Sequence, residues 1–199
     1  MICYTYHLDV IIVQHHLVRD CLLVFQCGTT QSIKVIEKSI DFPIPQAIND
    51  QICDLVLSPQ FTWHYIPDAT YLTPDGNASF AHVLVNEYEP TSPFYDVFSS
   101  VLAIIAKHAG FDRDNVYRAR LGLLYPSSQK HNAWHTDYNT PHTTVLWYVN
   151  GGDGDTMFRH ESFKPVKNGV LVFNGLETHA SSPPTKGVRI VLNVNLMIP

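Results

Sequence analysis

Charge is scarce in this chain, and no run of one sign occurs. Charged residues make up 16% of the 199, against about 25% in ordinary soluble domains. The 13 Lys and Arg are scattered, and the formal net charge is −5. A protein that grips nucleic acid through its phosphates needs a basic surface, so nucleic acid is not expected as a partner. No apolar run reaches the ~18 residues of a membrane span, and no membrane partner is expected. Cysteine is limited to Cys3, Cys21, Cys27 and Cys53. None form a C-x-x-C pair or a zinc spacing, which leaves reduced, mostly buried thiols in a cytoplasmic protein (the host cytoplasm, for a viral one). Signatures of serine hydrolases, P-loop enzymes and dinucleotide-binding folds are missing as well. The first residues lack the basic start and unbroken apolar stretch of a signal peptide, because Gln14, His15, His16, Arg19 and Asp20 interrupt Val10–Val13 and Cys21–Phe25. Residues 1–31 read as an N-terminal segment set apart from a domain over 32–199.

What is present can bury a full core. Hydrophobic residues are 45% and aromatics 12%, enough for one domain. Two helices are predicted. The first runs over 45–57, opened by Pro45, with Ile48, Ile52, Leu55 and Val56 on one face. The second runs over 93–109, with Ser92 as N-cap, Pro93 at the first position and Gly110 as terminator. Beyond Gly110 the pattern becomes extended: 116–125, 133–138, 143–150, 155–158, 169–173 and 188–198, with earlier strands over 32–40, 61–66 and 79–88. Helices followed by many short antiparallel strands predict a mainly β fold, a sandwich or barrel buttressed by helices on one side. Ligands favour the mouth of such a barrel.

One constellation carries chemistry. In His135-Thr136-Asp137 two potential metal ligands sit at i and i+2, on one face if the segment is a strand. A third, His179, follows the strand and turn Leu171–Gly175. Two His and one carboxylate on a metal with open positions is the facial triad of non-heme iron(II) oxygenases. The short motif alone is weak, since roughly 0.7 His-x-Asp pairs are expected by chance. A second one, His7-Leu8-Asp9, indeed occurs. So does a second His with Arg ten residues on, His108/Arg118 beside His179/Arg189. The later set lies within the strand-rich half, whereas His108 falls at a helix end where the dipole accounts for it.

An oxygenase of this type that uses 2-oxoglutarate must fix a distal carboxylate, and a guanidinium can hold one bidentately. Arg189 opens the last strand and shares a face with Val191, Asn193 and Asn195; a face bearing Arg and two Asn implies a polar cavity. Tyr125, on a face with Leu121 and Leu123, and Tyr148, with Thr144 and Leu146, are candidates to point inward and donate to the same co-substrate. His131, Trp134 and His142 flank the metal motif as candidate substrate contacts. The Asn150–Asp155 stretch reads as a hairpin turn.

From about Arg118 to Met197 the chain resembles the prolyl-4-hydroxylase-like branch of the iron(II)/2-oxoglutarate oxygenases. The resemblance rests on Leu124-Tyr125-Pro126, His135-Thr136-Asp137, the Gly-rich stretch after Asn150, His179 and Arg189. Around Phe61–Tyr65 it is also similar to short oxygenases of marine phages. The family fold is a distorted double-stranded β-helix, a jelly-roll or cupin-like barrel with supporting helices. By position, the resemblance makes His135, Asp137 and His179 the iron ligands and assigns Arg189, Tyr125 and Tyr148 to co-substrate binding; Asn193, on the same strand face as Arg189, is a further co-substrate candidate. It implies Fe(II), 2-oxoglutarate and O2, with ascorbate as an auxiliary reductant. The implied reaction is hydroxylation of a C–H bond with release of succinate and CO2. The substrate is a prolyl or other residue of a peptide or protein, or else a free amino acid or other small molecule. A barrel that binds metal without catalysis is the contrasting reading.

Overall fold

The structure is a computed structural model that describes residues 38–68 and 78–197. The N-terminal segment 1–31, Cys3, Cys21, Cys27, the His7/Asp9 pair, His15-His16 and most of the strand expected over 32–40 lie outside the described residues. Among the described residues, no helix is long and apolar enough to cross a membrane.

Strand β1 (Ile40–Asp41) leads into helix α1 (Gln46–Leu57). Strands β2 (His64–Ile66), β3 (Ser79–Asn86) and β4 (Glu89–Pro90) precede helix α2 (Tyr95–His108). The rest is β: β5 (Val116–Leu124), β6 (Thr143–Tyr148), β7 (Thr156–Phe158), β8 (Ser162–Phe163), β9 (Val170–Asn174), β10 (His179–Ser181) and β11 (Arg189–Leu196). The larger sheet has the order β1-β9-β6-β11-β5-β3-β2, with β4 added to β3, and the smaller has β10-β7-β8. Every pairing is antiparallel. The chain is therefore mainly β with two flanking helices, but the two sheets do not join into one closed barrel among the described residues.

The predicted α2 begins two residues late. Ser92 does not cap the helix; its hydroxyl accepts from the Phe94 amide in the turn before it (2.9 Å). The other end is as the sequence indicates. Gly110 takes φ +84°, its N–H donates to Lys107 O, and that of Phe111 donates to Ala106 O, the paired bonds of a Schellman stop.

Of the three central strands, β6 is buried throughout, β11 nearly so and β5 chiefly on its helix side, and alternation sorts their side chains. Ala119, Leu121 and Leu123 of β5, Val145 and Trp147 of β6, and Ile190, Leu192 and Val194 of β11 join Phe98, Val101, Leu102 and Ile105 of α2 in the main core. Each Val, Leu, Ile or Phe among them contributes about 1.5–3 kcal/mol by leaving water. The opposite parity, Leu146, Tyr148 and Val191, meets Phe158, Leu171 and Phe173 in a second cluster. That face also carries the polar residues of β5 and β11.

Two expected elements differ. Residues 133–138 form no strand; His135 alone makes a bridge, to His179. Asn132 N–H donates to Ser181 O and His135 N–H to His179 O, so three residues on one side span two on the other. That mismatch breaks a regular ladder. The stretch after Asn150 is not a hairpin either. It carries the chain from the larger sheet to the smaller, held where Asn150 accepts from Ile190 N–H (2.8 Å) and donates to Val188 O (2.7 Å).

Candidate metal centre

His135 sits on a loop, His179 at the start of β10, and their backbones pair directly. One ligand atom from each of His135, Asp137 and His179 can be chosen so that all lie within 4.8 Å of one another. They are the one such His/Asp cluster among the described residues. The Nδ1 of His135 lies 3.0 Å from Ala133 O, and that of His179 lies 3.0 Å from Glu177 O. A carbonyl only accepts, so both Nδ1 atoms carry hydrogen and both Nε2 lone pairs are left for a metal. His135 Nε2 lies 4.0 Å from Asp137 Oδ1.

Without a regular strand, hydrogen bonds aim Asp137. Arg118 Nη2 donates to Oδ1 (3.0 Å), while Asn193 and Asn195 donate to Oδ2 (3.0 and 2.8 Å). Thr144 Oγ1 stands 3.5 Å from Oδ2. Burial alone would raise this carboxyl's pKa, but Arg118, His179 and the two amides hold it well below the usual carboxylate range. Burial pushes His179 down, and Asp137 opposes that. These shifts favour an ionised Asp137 beside a neutral His179, the protonation states a metal requires of them. Two His and a carboxylate also match the softness and geometry of an iron(II) facial triad, so the donor set fits that ion.

The three ligands line a cleft with Ser79, Arg120, Gly122, Leu124, Leu146, Thr156, Ala180, Ser181, Arg189, Val191 and Asn193. Arg189 is 5% exposed, and burial lowers its pKa. Its Nη2 donates to Thr156 Oγ1 (2.8 Å), yet its Nε has no partner. It forms no ion pair with a carboxylate among the described residues. A buried charge without a directly paired carboxylate is costly, and Asp155 offsets it only from beyond ion-pair distance, so an anionic ligand could be held here. The backbone of Gly154 presses against it: a Cβ there would stand 3.0 Å from Arg189 Cδ and 2.6 Å from Ser182 O.

The other candidates are distributed unevenly. Tyr148 is fully buried beside Arg189, whose guanidinium carbon is 5.7 Å from the ring centroid, and its hydroxyl donates to Thr156 (2.8 Å). Asn193 lines the cleft and touches Asp137. Tyr125 does not face inward. It lies past the end of β5, is 48% exposed and packs edge-on against Phe80. Apolar residues lie on both sides of β5, so apolar parity alone does not identify the side that meets the cleft. Leu121 and Leu123 mark the helix side, while Arg118, Arg120, Gly122 and Leu124 share the cleft side. His131, Trp134 and His142 do not line the cleft; His142 is buried against the Gly175 backbone and Tyr138.

Sequence reasoning passed over Arg118, setting it aside with His108, which instead faces Asp41 across 3.3 Å. It also passed over Thr156 and Arg120. The alternation Arg118, Arg120 on a strand next to β11 was the available signal.

No protein-family model and no curated protein matches the chain. Solved structures do. A viral collagen prolyl hydroxylase from Paramecium bursaria Chlorella virus-1, in its 2-oxoglutarate complex, superposes with a TM-score of 0.56 at 14% identity, covering 81% of this chain and 96% of that one. The fold is that of the iron(II)/2-oxoglutarate oxygenases. A prolyl-4-hydroxylase from Pseudomonas putida matches at 0.54 and 10% identity, over 81% and 92% of the two chains. A prolyl hydroxylase from Trichoplax adhaerens, complexed with a hypoxia inducible factor peptide fragment, matches at 0.55 and 15%, over 80% and 83%. The architecture is accordingly the double-stranded β-helix of the prolyl-hydroxylase-like oxygenases, with two open sheets in this chain.

Proposed function

We propose that this protein is an iron(II)- and 2-oxoglutarate-dependent dioxygenase that hydroxylates an unactivated C–H bond. The observation that carries the reading is the pairing, in one cleft, of a His-Asp-His ligand set with a buried guanidinium that has no carboxylate partner. His135, Asp137 and His179 would hold the metal, and Arg189 with Thr156 and Tyr148 the distal carboxylate of 2-oxoglutarate. Iron(II) bound there would supply the oxidising chemistry, coupling decarboxylation of 2-oxoglutarate by O2, to succinate and CO2, with hydroxylation of the substrate.

The chain's own residues do the rest. Arg118, Asn193 and Asn195 keep Asp137 ionised and oriented. The Ala133 and Glu177 carbonyls fix the imidazole tautomers. Leu124, Leu146 and Val191 give the cleft apolar walls that limit water around the co-substrate. A carboxylate ligand at position 137 supports hydroxylation over halogenation, which needs that coordination position for halide. The peptide-bound neighbour supports a residue of a peptide or protein, such as proline, as the substrate, with a free amino acid as the other source of the same C–H bond. Ascorbate would serve as reductant for an iron centre oxidised without substrate.

The test is an anaerobic titration with iron(II) and then 2-oxoglutarate, following the visible charge-transfer band of the chelate. Wild-type protein should give the band, and Arg189→Ala should need roughly 10- to 100-fold more 2-oxoglutarate, the loss of a charge-assisted contact. A folded wild type without the band would sink the oxygenase reading. A band without succinate from any substrate would favour a binding module.

A further inference from the structure

Three tyrosines run outward from the metal ligands, and neither the ligand set nor the cleft uses them. Tyr138 directly follows Asp137 in the chain. Its ring meets that of Tyr117 edge-on, with centroids 5.2 Å apart, and Tyr117 meets Tyr88 in the same way at 5.1 Å. Arg118 joins the inner end to the ligand. Its guanidinium carbon stands 5.1 Å from the Tyr138 centroid, while its Nη2 donates to Asp137 Oδ1 (3.0 Å). None of the three rings lines the cleft, so none is placed to meet the co-substrate there.

The outer end is held at a cost. Tyr88 is the second central residue of the turn between β3 and β4, which closes where Asn86 pairs with Glu89. Glu87 and Tyr88 both take positive φ, +52° and +69°, a conformation that favours Asn, Asp and Gly. A bulky ring there is an outlier, and strained residues of this kind cluster at functional positions. Tyr88 lines a hollow separate from the cleft, together with Tyr95, Arg113 and Asp114. Its sequence neighbours Glu87 and Glu89 are exposed. Edge-on packing accounts for the ring contacts but not for the hydroxyls, since phenylalanine would pack as well. What a phenol adds is a hydrogen atom that it can lose.

We propose that Tyr138, Tyr117 and Tyr88 form a one-electron relay between the metal centre and a small enediol reductant at the hollow beside Tyr88. The relay rests on the oxygenase reading and adds to it a protective half-reaction with its own point of entry. When 2-oxoglutarate and O2 are consumed with no substrate C–H bond in reach, two hydrogen atoms are needed for balance: with them, 2-oxoglutarate and O2 give succinate, CO2 and water. The relay supplies each as an electron and a proton that travel separately. Tyr88 gives up an electron, which passes inward through Tyr117 and Tyr138. Its O–H bond breaks and the proton leaves to water, with the Glu87 and Glu89 carboxylates at hand as bases. The balancing proton enters the cleft from solvent. An enediol such as ascorbate then returns a hydrogen atom to the Tyr88 oxygen, and two such steps convert the enediol to the dicarbonyl.

The experiment exposes the iron(II)/2-oxoglutarate complex of the whole chain to O2 with no substrate present. Rapid-freeze electron paramagnetic resonance is recorded on protein carrying ordinary or ring-deuterated tyrosine. Wild type should show a radical whose signal narrows on deuteration, which places it on tyrosine, and ascorbate should remove it. Tyr138→Phe keeps the ring and its edge contact. Its chelate band and melting temperature should match wild type, while the tyrosyl signal is lost. Tyr88→Phe should keep a signal, held on the inner tyrosines, and lose its removal by ascorbate. A tyrosyl signal in Tyr138→Phe equal to that of wild type overturns the relay. So does a signal that deuteration leaves unchanged, which would put the radical on another group such as Trp134, next to His135 in the chain. Removal by ascorbate as fast in Tyr88→Phe as in wild type overturns it too. With the chelate band intact, absence of any radical overturns the relay and leaves the oxygenase reading standing; a missing band defeats that reading and the relay with it.

Discussion

His135 and His179 hold each other by their main chains: the N–H of each donates to the carbonyl of the other, both at 2.9 Å. Each ring then bonds the carbonyl two residues before it. The two imidazoles are thus positioned by backbone that survives removal of either side chain.

His179→Ala should therefore keep the fold while losing the metal. Circular dichroism of the metal-free protein should match wild type, and the iron(II)/2-oxoglutarate band should vanish. Loss of folded structure in this variant would mean that the ring, and not the bridge, holds β10 in place.

Arg118 is the cation that faces Asp137. Arg118→Ala leaves a buried carboxylate short of its partner, at a cost of about 3–5 kcal/mol in the metal-free protein. The ligand also loses orientation, so metal affinity should fall roughly 10- to 100-fold. Chemical denaturation and competition with a metal chelator measure the two effects. Arg118→Lys keeps the charge but not the planar fork, and should recover stability more than affinity.

Gly122 tests the cleft without disturbing the core. Its missing Cβ faces open space, and a β-branched residue suits a strand. Gly122→Val should leave the melting temperature unchanged or slightly higher while weakening 2-oxoglutarate or substrate binding by about tenfold or more. Unchanged binding of both would show that neither ligand occupies the floor between Arg120 and Leu124.

His82 should make stability pH-dependent. Its Nδ1 donates to Thr62 O and its Nε2 accepts from the Ser92 hydroxyl, both at 2.6 Å, with Phe61 and Phe94 against the ring. Burial lowers its pKa below the ordinary 6.5, and the Thr62 bond opposes this. The folded state thus binds this proton less readily than the unfolded chain. The stabilisation is present in full above about pH 6.5 and is lost as pH falls through the folded value. Denaturation midpoints of wild type should drop across that window, and His82→Gln should flatten this part of the slope.

Much of the site could be read from residue order because its chemistry is local. His-x-Asp spacing and the alternating polar face of β11 named His135, Asp137, His179, Arg189 and Asn193, and those five side chains line one cleft. Both helices were legible from period and punctuation, with Gly110 marking its stop directly. What escaped notice depended on partners distant in sequence. Arg118 matters only because β5 lies beside β11, a pairing that no local pattern encodes. Tyr125 shares the parity of Leu121 and Leu123, which pack into the main core, so apolar alternation on β5 marked the helix side and not the cleft side. The loop at 133–138 looked extended, yet its backbone pairs regularly nowhere, and side-chain hydrogen bonds do the aiming instead.

One strand, β11, carries Arg189, Val191, Asn193 and Asn195 toward the cleft and Ile190, Leu192, Val194 and Leu196 toward the helices. A single inserted or deleted residue at its start would exchange the two sets. The arginine and both asparagines would then be driven into the apolar core, and Asp137 would lose the two amides that donate to it. In this chain, a frame error in β11 would undo the lining of the cleft and the packing of the core in the same step.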